Sequence, residues 1–259
     1  MLLGLVSAKG APGVTSAAVA LTAVAGGVMV ELDPSGGSVD CWLRATGEPG
    51  LIRAASELRR QADPATLLQC ATEVVPGVRV LRSPTSGLLA ESTVVALRDR
   101  LLPALAELDE LLIVDGGRWS RSQPTSRRLA GCDVVALMCS PTIEGVEAVR
   151  WQIDQLSSFV ERVAVVPVGD RPYGPDELAA VTGAEVAGVL AWDRRGLARL
   201  LDRGTASGWQ RTQLARSARD VLHALCFARQ PLPTNAPAAD LEDVEDAVVN
   251  VVEPGAAHA

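Results

Sequence analysis

The chain has 259 residues, 48% hydrophobic and 21% charged, so it can bury a sizeable core as one domain or at most two, and wholesale disorder is excluded. Its formal net charge of -7 gives no general electrostatic drive toward nucleic acid or anionic lipid, so any such surface must be local. Five cysteines, Cys41, Cys70, Cys132, Cys139 and Cys226, make no CxxC pair and no Cys/His pattern with the two histidines, His223 and His258. The odd count reads as reduced thiols in a cytoplasmic protein. Of 24 basic residues a single one is lysine, Lys9, which makes its position informative.

In chain order, Leu2–Ser7 reads as a strand. Residues 10–30 carry no charge, a length that can span a bilayer. Gly10, Pro12, Gly13, Gly26 and Gly27 instead break that run into a turn, a helix over Thr15–Val24, a second turn and a strand over Val28–Leu32, and no basic segment precedes it. Helical patterns follow at Leu51–Arg60 and Pro64–Ala71, a strand at Val78–Leu81, a helix at Ser92–Leu105, and strands at Leu111–Val114 and Val134–Met138. A helix at Ile143–Leu156, a strand at Val163–Val168, a helix at Asp176–Val181, a strand at Val186–Leu190, and helices at Arg194–Leu201 and Gln210–Ala228 complete the series. Strands apolar throughout and alternating with helices predict an α/β fold: a doubly wound, mostly parallel sheet of about seven strands flanked by helices, spanning residues 1–228. Residues 229–259 read as a Pro/Ala-rich linker and an acidic tail without order of its own. Within the tail, Leu241, Val244, Val248 and Val251 interleave with Glu242, Asp243, Glu245 and Asp246, a spacing that also fits a short acidic amphipathic helix docking on a partner.

In such a sheet ligands bind at the carboxyl ends of the strands, so the first strand-to-helix turn is the place to look. It reads Ser7-Ala8-Lys9-Gly10-Ala11-Pro12-Gly13-Val14-Thr15-Ser16. A phosphate-binding loop needs glycines so that backbone N–H groups can wrap phosphate oxygens, a lysine for the β/γ oxygens and a hydroxyl for Mg2+ at the helix start. Gly10, Gly13 and Thr15 stand where such a loop wants them, and Val14 stands where the lysine belongs. Downstream, Glu31-Leu32-Asp33-Pro34-Ser35-Gly36-Gly37 closes the second strand, and Leu111-Leu112-Ile113-Val114-Asp115-Gly116-Gly117 is an apolar strand ending in an acid.

Together these segments resemble the MinD/ParA family of P-loop ATPases, whose altered phosphate loop reads Lys-Gly-Gly-x-Gly-Lys-[Ser/Thr]. Lys9 matches the first, signature lysine, which in that family reaches across a nucleotide-sandwich dimer to the partner's phosphates. The resemblance implies Lys9, Gly10, Gly13, Val14, Thr15 and Ser16 as the nucleotide-binding segment, Thr15 and Asp115 as the Mg2+ site, and Asp33 as the catalytic acid, with Glu31 replacing the first aspartate of the family's Asp-x-Asp-Pro motif. It also implies ATP and Mg2+ as cofactors, a homodimer, and a protein partner in a pilus, secretion or partition system that would hold a cytoplasmic protein at a pole or membrane site. The Asp-Pro-x-Gly-Gly wording is closest to the CpaE/TadZ branch. Where the family carries an adenine-side Asn-Arg, this chain has Val166-Pro167-Val168-Gly169.

The departures set the expected activity. Val14 removes a charge-assisted contact of about 1.5–3 kcal/mol, Pro12 removes a backbone N–H, and Ala8 and Ala11 replace glycines. Catalysis suffers more than binding, because the missing ammonium acts where charge develops on the transferred phosphoryl group, so little or no ATP hydrolysis is expected. Two readings stand: a slow nucleotide switch completed in trans by Lys9, or a dimerising scaffold with a dead site. A third, a partition ATPase that binds DNA nonspecifically, would use the arginines Arg194, Arg195, Arg199, Arg203, Arg211, Arg216, Arg219 and Arg229, and a metabolic ligase on this fold would need the absent lysine. The scattered tryptophans Trp42, Trp119, Trp151, Trp192 and Trp209 read as core and interface fillers, with Trp119 placed to reach a dimer face, and His223 reads as packed within its helix.

Overall fold

Seven strands form one sheet in the order β3-β4-β2-β5-β1-β6-β7 in the computed structural model, which describes residues 1–10, 12–43, 47, 48, 50–121, 126–202 and 208–227. They are β1 (Leu2–Ser7), β2 (Val28–Glu31), β3 (Thr72–Val75), β4 (Val78–Leu81), β5 (Leu112–Arg118), β6 (Val134–Cys139) and β7 (Val163–Pro167). Every neighbouring pair is parallel except the β3–β4 hairpin. The fold is thus a doubly wound, mostly parallel α/β sheet, as the alternating pattern predicts.

Helices cover both faces, which is why the central strands carry apolar residues at consecutive positions instead of alternating ones. Leu2, Val6, Val30, Val114, Val135 and Leu137 enter one core, beneath α3 (Gly50–Arg59), α4 (Pro64–Leu68), α5 (Gly87–Leu97), α6 (Leu101–Ala106), α7 (Ile143–Ser157) and α8 (Pro175–Thr182). Leu3, Leu5, Met29, Ile113, Ala136 and Met138 enter the other, beneath α1 (Val14–Ala25), α9 (Arg194–Leu201) and α10 (Gln213–Phe227). A short helix, α2 (Val39–Leu43), also sends Val39 and Leu43 into that second core. Three alanines of α1, Ala17, Ala18 and Ala20, are fully buried and bring α1 close to both the sheet and α10.

Register assembles the three sequence motifs. Leu5 of β1 and Glu31 of β2 both pair with Asp115 of β5, and Ser7, the last residue of β1, pairs with Arg118, the last of β5. The ends of β1, β2 and β5 therefore lie side by side where the order of connection reverses about β1, which is where open α/β sheets form their binding crevice.

Several elements differ from the sequence expectation, α2 among them. β3 is an additional strand, an antiparallel edge turned through Pro76–Gly77, where the Gly77 N–H donates to Glu73 Oε1 at 2.9 Å. Val186–Leu190 does not form a full strand. It follows β7 through two isolated parallel bridges, Val165 to Val186 and Val168 to Leu190, while Arg162 pins the segment by donating to Glu185 at 2.5 Å and to the Leu225 carbonyl at 2.6 Å. The helix expected over Ser92–Leu105 is two helices, α5 and α6, because Pro103 has no N–H to continue α5 and its ring crowds the carbonyl four residues back. The last helix starts with a separate turn at Trp209–Arg211 before α10. All five cysteines are free thiols, and no helix among the described residues is long and apolar enough to cross a membrane. The linker and acidic tail, with Arg203 and Arg229, lie outside the described residues.

The packing of α1 yields a stability prediction. Leu21, 1% exposed in the second core, should cost about 2–5 kcal/mol when cut to alanine, whereas Leu88→Ala, at a position 83% exposed, should stay within about 0.5 kcal/mol of wild type. Urea unfolding of the two variants checks the contrast.

Candidate functional site

Residues of the phosphate-loop segment and its two acidic partners line one open cleft of about 280 Å3, bordered by Ser7, Gly10, Gly13, Val14, Thr15, Ser16, Asp33, Ser38, Trp42, Gly117 and Arg118. The loop leaves β1 at a rooted point. The Ala8 N–H donates to the Met138 carbonyl at 3.2 Å, the Trp119 N–H donates to the Ser7 carbonyl at 3.2 Å, and Gln152 of α7 donates through Nε2 to the Ala8 carbonyl at 2.7 Å.

Gly13 ends the loop at φ +88°, a left-handed conformation that side-chain-bearing residues avoid, and serves as the N-cap of α1 without any side chain capping the helix. The N–H groups of the first turn thus open on the cleft at the positive end of a twelve-residue helix. Val14, where a phosphate loop carries its lysine, is 7% exposed and packs into the core under α1 while bordering the cleft. Ala11 is outside the described residues.

Asp115 is the electrostatic centre. It is 1% exposed; the Thr15 hydroxyl beside it favours the charged form, and the Gly117 N–H donates to its Oδ1 at 3.0 Å. Burial outweighs both, and with the charge of Asp33 it pushes the Asp115 pKa up to about 6. Asp33, half-buried, accepts the Ser35 N–H at 2.8 Å and lies directly over Gly117. A Cβ on Gly117 would collide with the Asp33 carboxyl, so a larger residue there would push that carboxyl aside.

Behind this pair Glu31 is 1% exposed and accepts three backbone N–H groups, Ser38 at 2.9 Å, Val39 at 3.2 Å and Ser83 at 3.1 Å. Burial, and then the charge of Asp115, still push its pKa up to about 7. Glu31 thereby ties the loop after Asp33 and the end of β4 to the cleft floor. Arg128, fully buried, donates to the Gly116 carbonyl through Nε (3.0 Å) and Nη2 (2.6 Å) and to the Arg118 carbonyl at 2.7 Å. Burial lowers its pKa to about 10 against the pull of Asp33 and Asp115, so it stays cationic beneath the two acids at neutral pH.

Of the residues the resemblance implies for nucleotide and Mg2+, all reach the cleft or its floor except Lys9, which is exposed and stands outside the lining. Lys9 lies near Glu144 at the start of α7, whose pKa is held low first by its own backbone N–H and the Thr142 hydroxyl and in smaller part by the Lys9 charge. The chain contributes four neighbours that local patterns did not mark: Ser38, Trp42, Arg118 and Arg128. Trp119, expected at a surface, is 1% exposed, its indole N–H donating to the Ser126 carbonyl at 3.0 Å and its ring edge-on to Phe159. Trp209 is buried, while Trp42, Trp151 and Trp192 are exposed. His223 is exposed too, its ring 5.4 Å from that of Phe227, because it falls on the outer face of α10 between the inward Val221 and Leu225.

No protein-family model matches the sequence, and no curated protein matches it. Solved structures do. A ParA family ATPase from Chlorobium tepidum TLS is 18% identical over 88% of this chain and 98% of that one, with a TM-score of 0.69. The septum site-determining protein MinD from Pyrococcus horikoshii OT3, complexed with Mg-ADP, is 12% identical over 87% and 96%, with a TM-score of 0.69. A McdA variant from Cyanothece in complex with ATP is 16% identical over 89% and 98%, with a TM-score of 0.61. The chain therefore has the fold of the MinD, ParA and McdA ATPases over nearly the whole length of each.

The raised acid pKa values predict how stability varies with pH. A carboxyl with a folded pKa above its unfolded value keeps more protons folded than unfolded, so its contribution is complete below the unfolded pKa and is lost as pH rises through the folded one. For Asp115 and Glu31 that window runs from about 4 to about 7. Urea unfolding in metal-free buffer should show stability falling as pH rises across that window, and Asp115→Asn should flatten the fall below about pH 6. A wild-type slope equal to that of the variant would contradict the assignment.

Proposed function

We propose that the chain is a MinD/ParA-like spatial or assembly regulator whose cleft holds the phosphates of ATP with Mg2+ and whose readout is dimerisation and partner recruitment. The observation that carries this reading is the Thr15–Asp115 pair at the uncapped start of α1, with Asp33 over Gly117 beside it. A hydroxyl and a carboxylate at the mouth of a helix N-terminus are oxygen donors suited to Mg2+ and phosphate together.

In this account Gly10 and Gly13 shape the loop, and the N–H groups of Val14, Thr15 and Ser16 donate to phosphate oxygens. Thr15 and Asp115 would hold Mg2+, and the ion would neutralise phosphate charge there. Asp33 orients the attacking water from the cleft wall. Val14 offers no ammonium to charge developing on the transferred phosphoryl group, so hydrolysis is slow or absent and nucleotide acts as an occupancy signal. Lys9, exposed beyond its own cleft, is the residue available to a second copy, and it completes the site in trans in a homodimer. The Asp33-Pro34-Ser35-Gly36-Gly37 segment favours a role in positioning a pilus or secretion system through a protein partner at a pole or membrane site.

The alternative reading, a partition ATPase binding DNA nonspecifically, has its own support in Arg194, Arg195, Arg199, Arg211, Arg216 and Arg219, all exposed on and between α9 and α10. DNA binding that weakens steeply with salt would favour it.

Calorimetric titration with ATP and Mg2+, with mass followed by light scattering, separates the outcomes. The reading predicts Mg2+-dependent binding that weakens about tenfold or more in Thr15→Ala, and a doubling of mass that Lys9→Ala abolishes. No heat at millimolar ATP and an unchanged mass, in wild type and Val14→Lys alike, would refute nucleotide binding and leave the fold as a scaffold.

A further inference from the structure

We infer that Arg118 supplies, from the end of β5, the cationic contact to bound phosphate that Val14 cannot make. The inference rests on the reading of the cleft as a phosphate site and names the residue that makes that site work.

Three observations carry it. First, Arg118 reaches the cleft from the strand next to the loop: it pairs in register with Ser7, the residue from which the loop departs, and lines the same cleft as Gly10, Gly13, Val14, Thr15 and Ser16. Second, its backbone is fixed while its side chain is exposed. Arg128 donates to the Arg118 carbonyl at 2.7 Å, and the next residue's N–H donates to the Ser7 carbonyl at 3.2 Å. Third, among the described residues Arg118 forms no ion pair, although Asp33 and the buried Asp115 stand at the same cleft. A guanidinium on a fixed strand end, exposed to the cleft and not committed to a carboxylate, is preorganised for an oxyanion.

The local charges agree with this assignment. With Val14 turned into the core, the loop itself brings no cation to the lining, since Lys9 stands outside it. The two acids at the cleft, Asp33 and Asp115, would repel a polyphosphate unless a cation faced it, and among the described residues Arg118 is the cationic side chain of the lining. The planar fork of arginine can engage two oxygens at once, whereas the ammonium of the usual lysine acts as a point charge. Arg118 thus selects for the phosphate chain and contributes nothing to base recognition.

The test is a set of titrations with ATP and Mg2+, repeated with inorganic tripolyphosphate and with adenosine, on wild type, Arg118→Ala, Arg118→Lys, Val14→Lys and the double variant Val14→Lys with Arg118→Ala. Arg118 is exposed, so its variants should fold, which thermal melting verifies. The inference predicts that Arg118→Ala weakens ATP and tripolyphosphate by a similar factor, about ten- to a hundredfold, and that Arg118→Lys recovers part of the loss. It further predicts that Arg118→Ala costs less than about threefold once Val14→Lys provides an ammonium, a non-additivity that marks a shared role. Equal affinity of wild type and Arg118→Ala would overturn it while leaving the phosphate cleft intact. Binding by Val14→Lys but not by wild type would also overturn it, since Arg118 would then be no substitute. Absence of binding in both would remove the nucleotide reading itself, and the inference with it.

Discussion

A carboxylate almost out of contact with water sits at the crossing of β1, β2 and β5, and the site is built around the cost of keeping it there. Asp115 accepts the Gly117 N–H and has the Thr15 hydroxyl beside it, yet burial still lifts its pKa to about 6. Such a group is tolerated where its charge is used or matched. Its surroundings have that character: Arg128 lies beneath it, bonded to the carbonyls of Gly116 and Arg118, and Thr15 presents an oxygen beside it. Glu31, one strand over and in register with Asp115, is strained by the same burial but turned to a different use. Its three N–H bonds hold the loop after Asp33 against the end of β4.

The loop that faces this pair trades one kind of contact for another. At Val14 a position suited to an ammonium is given to packing under α1, which stabilises the helix while taking charge out of the cleft. In the proposed reading Arg118 and Lys9 divide the cationic work by location, the first lining the cleft and the second exposed outside it. The first turn of α1 still opens on the cleft beside Thr15 and Asp115, which supports the proposed reading of a nucleotide sensor that turns over slowly.

Much of the fold was legible because a parallel sheet buried on both faces writes itself as uninterrupted apolar strands between amphipathic helices. β1, β2, β4, β5, β6 and β7 follow from that pattern, and the order of the three motifs located the cleft. β3 was missed because Thr72 and Glu73 are exposed on an edge, where no apolar run is required. Val186–Leu190 misled for the opposite reason, being apolar enough for a strand but joined to β7 by isolated bridges. Pro103 was the overlooked signal for the break between α5 and α6. Gly10, Gly13, Val14, Thr15, Ser16, Asp33 and Asp115 could be singled out because their chemistry is local in the chain. Arg118, Trp42 and Arg128 could not, since what gives them meaning is register across strands and a buried guanidinium reaching strand carbonyls twelve and ten residues away.

The most direct test is a crystal structure of the chain grown with a non-hydrolysable ATP analogue and Mg2+. The account predicts phosphate oxygens at hydrogen-bonding distance from the N–H groups of Thr15 and Ser16, the metal on the Thr15 hydroxyl, and the Arg118 guanidinium on the phosphate chain. An empty cleft at saturating nucleotide, or nucleotide bound elsewhere on the molecule, would contradict it.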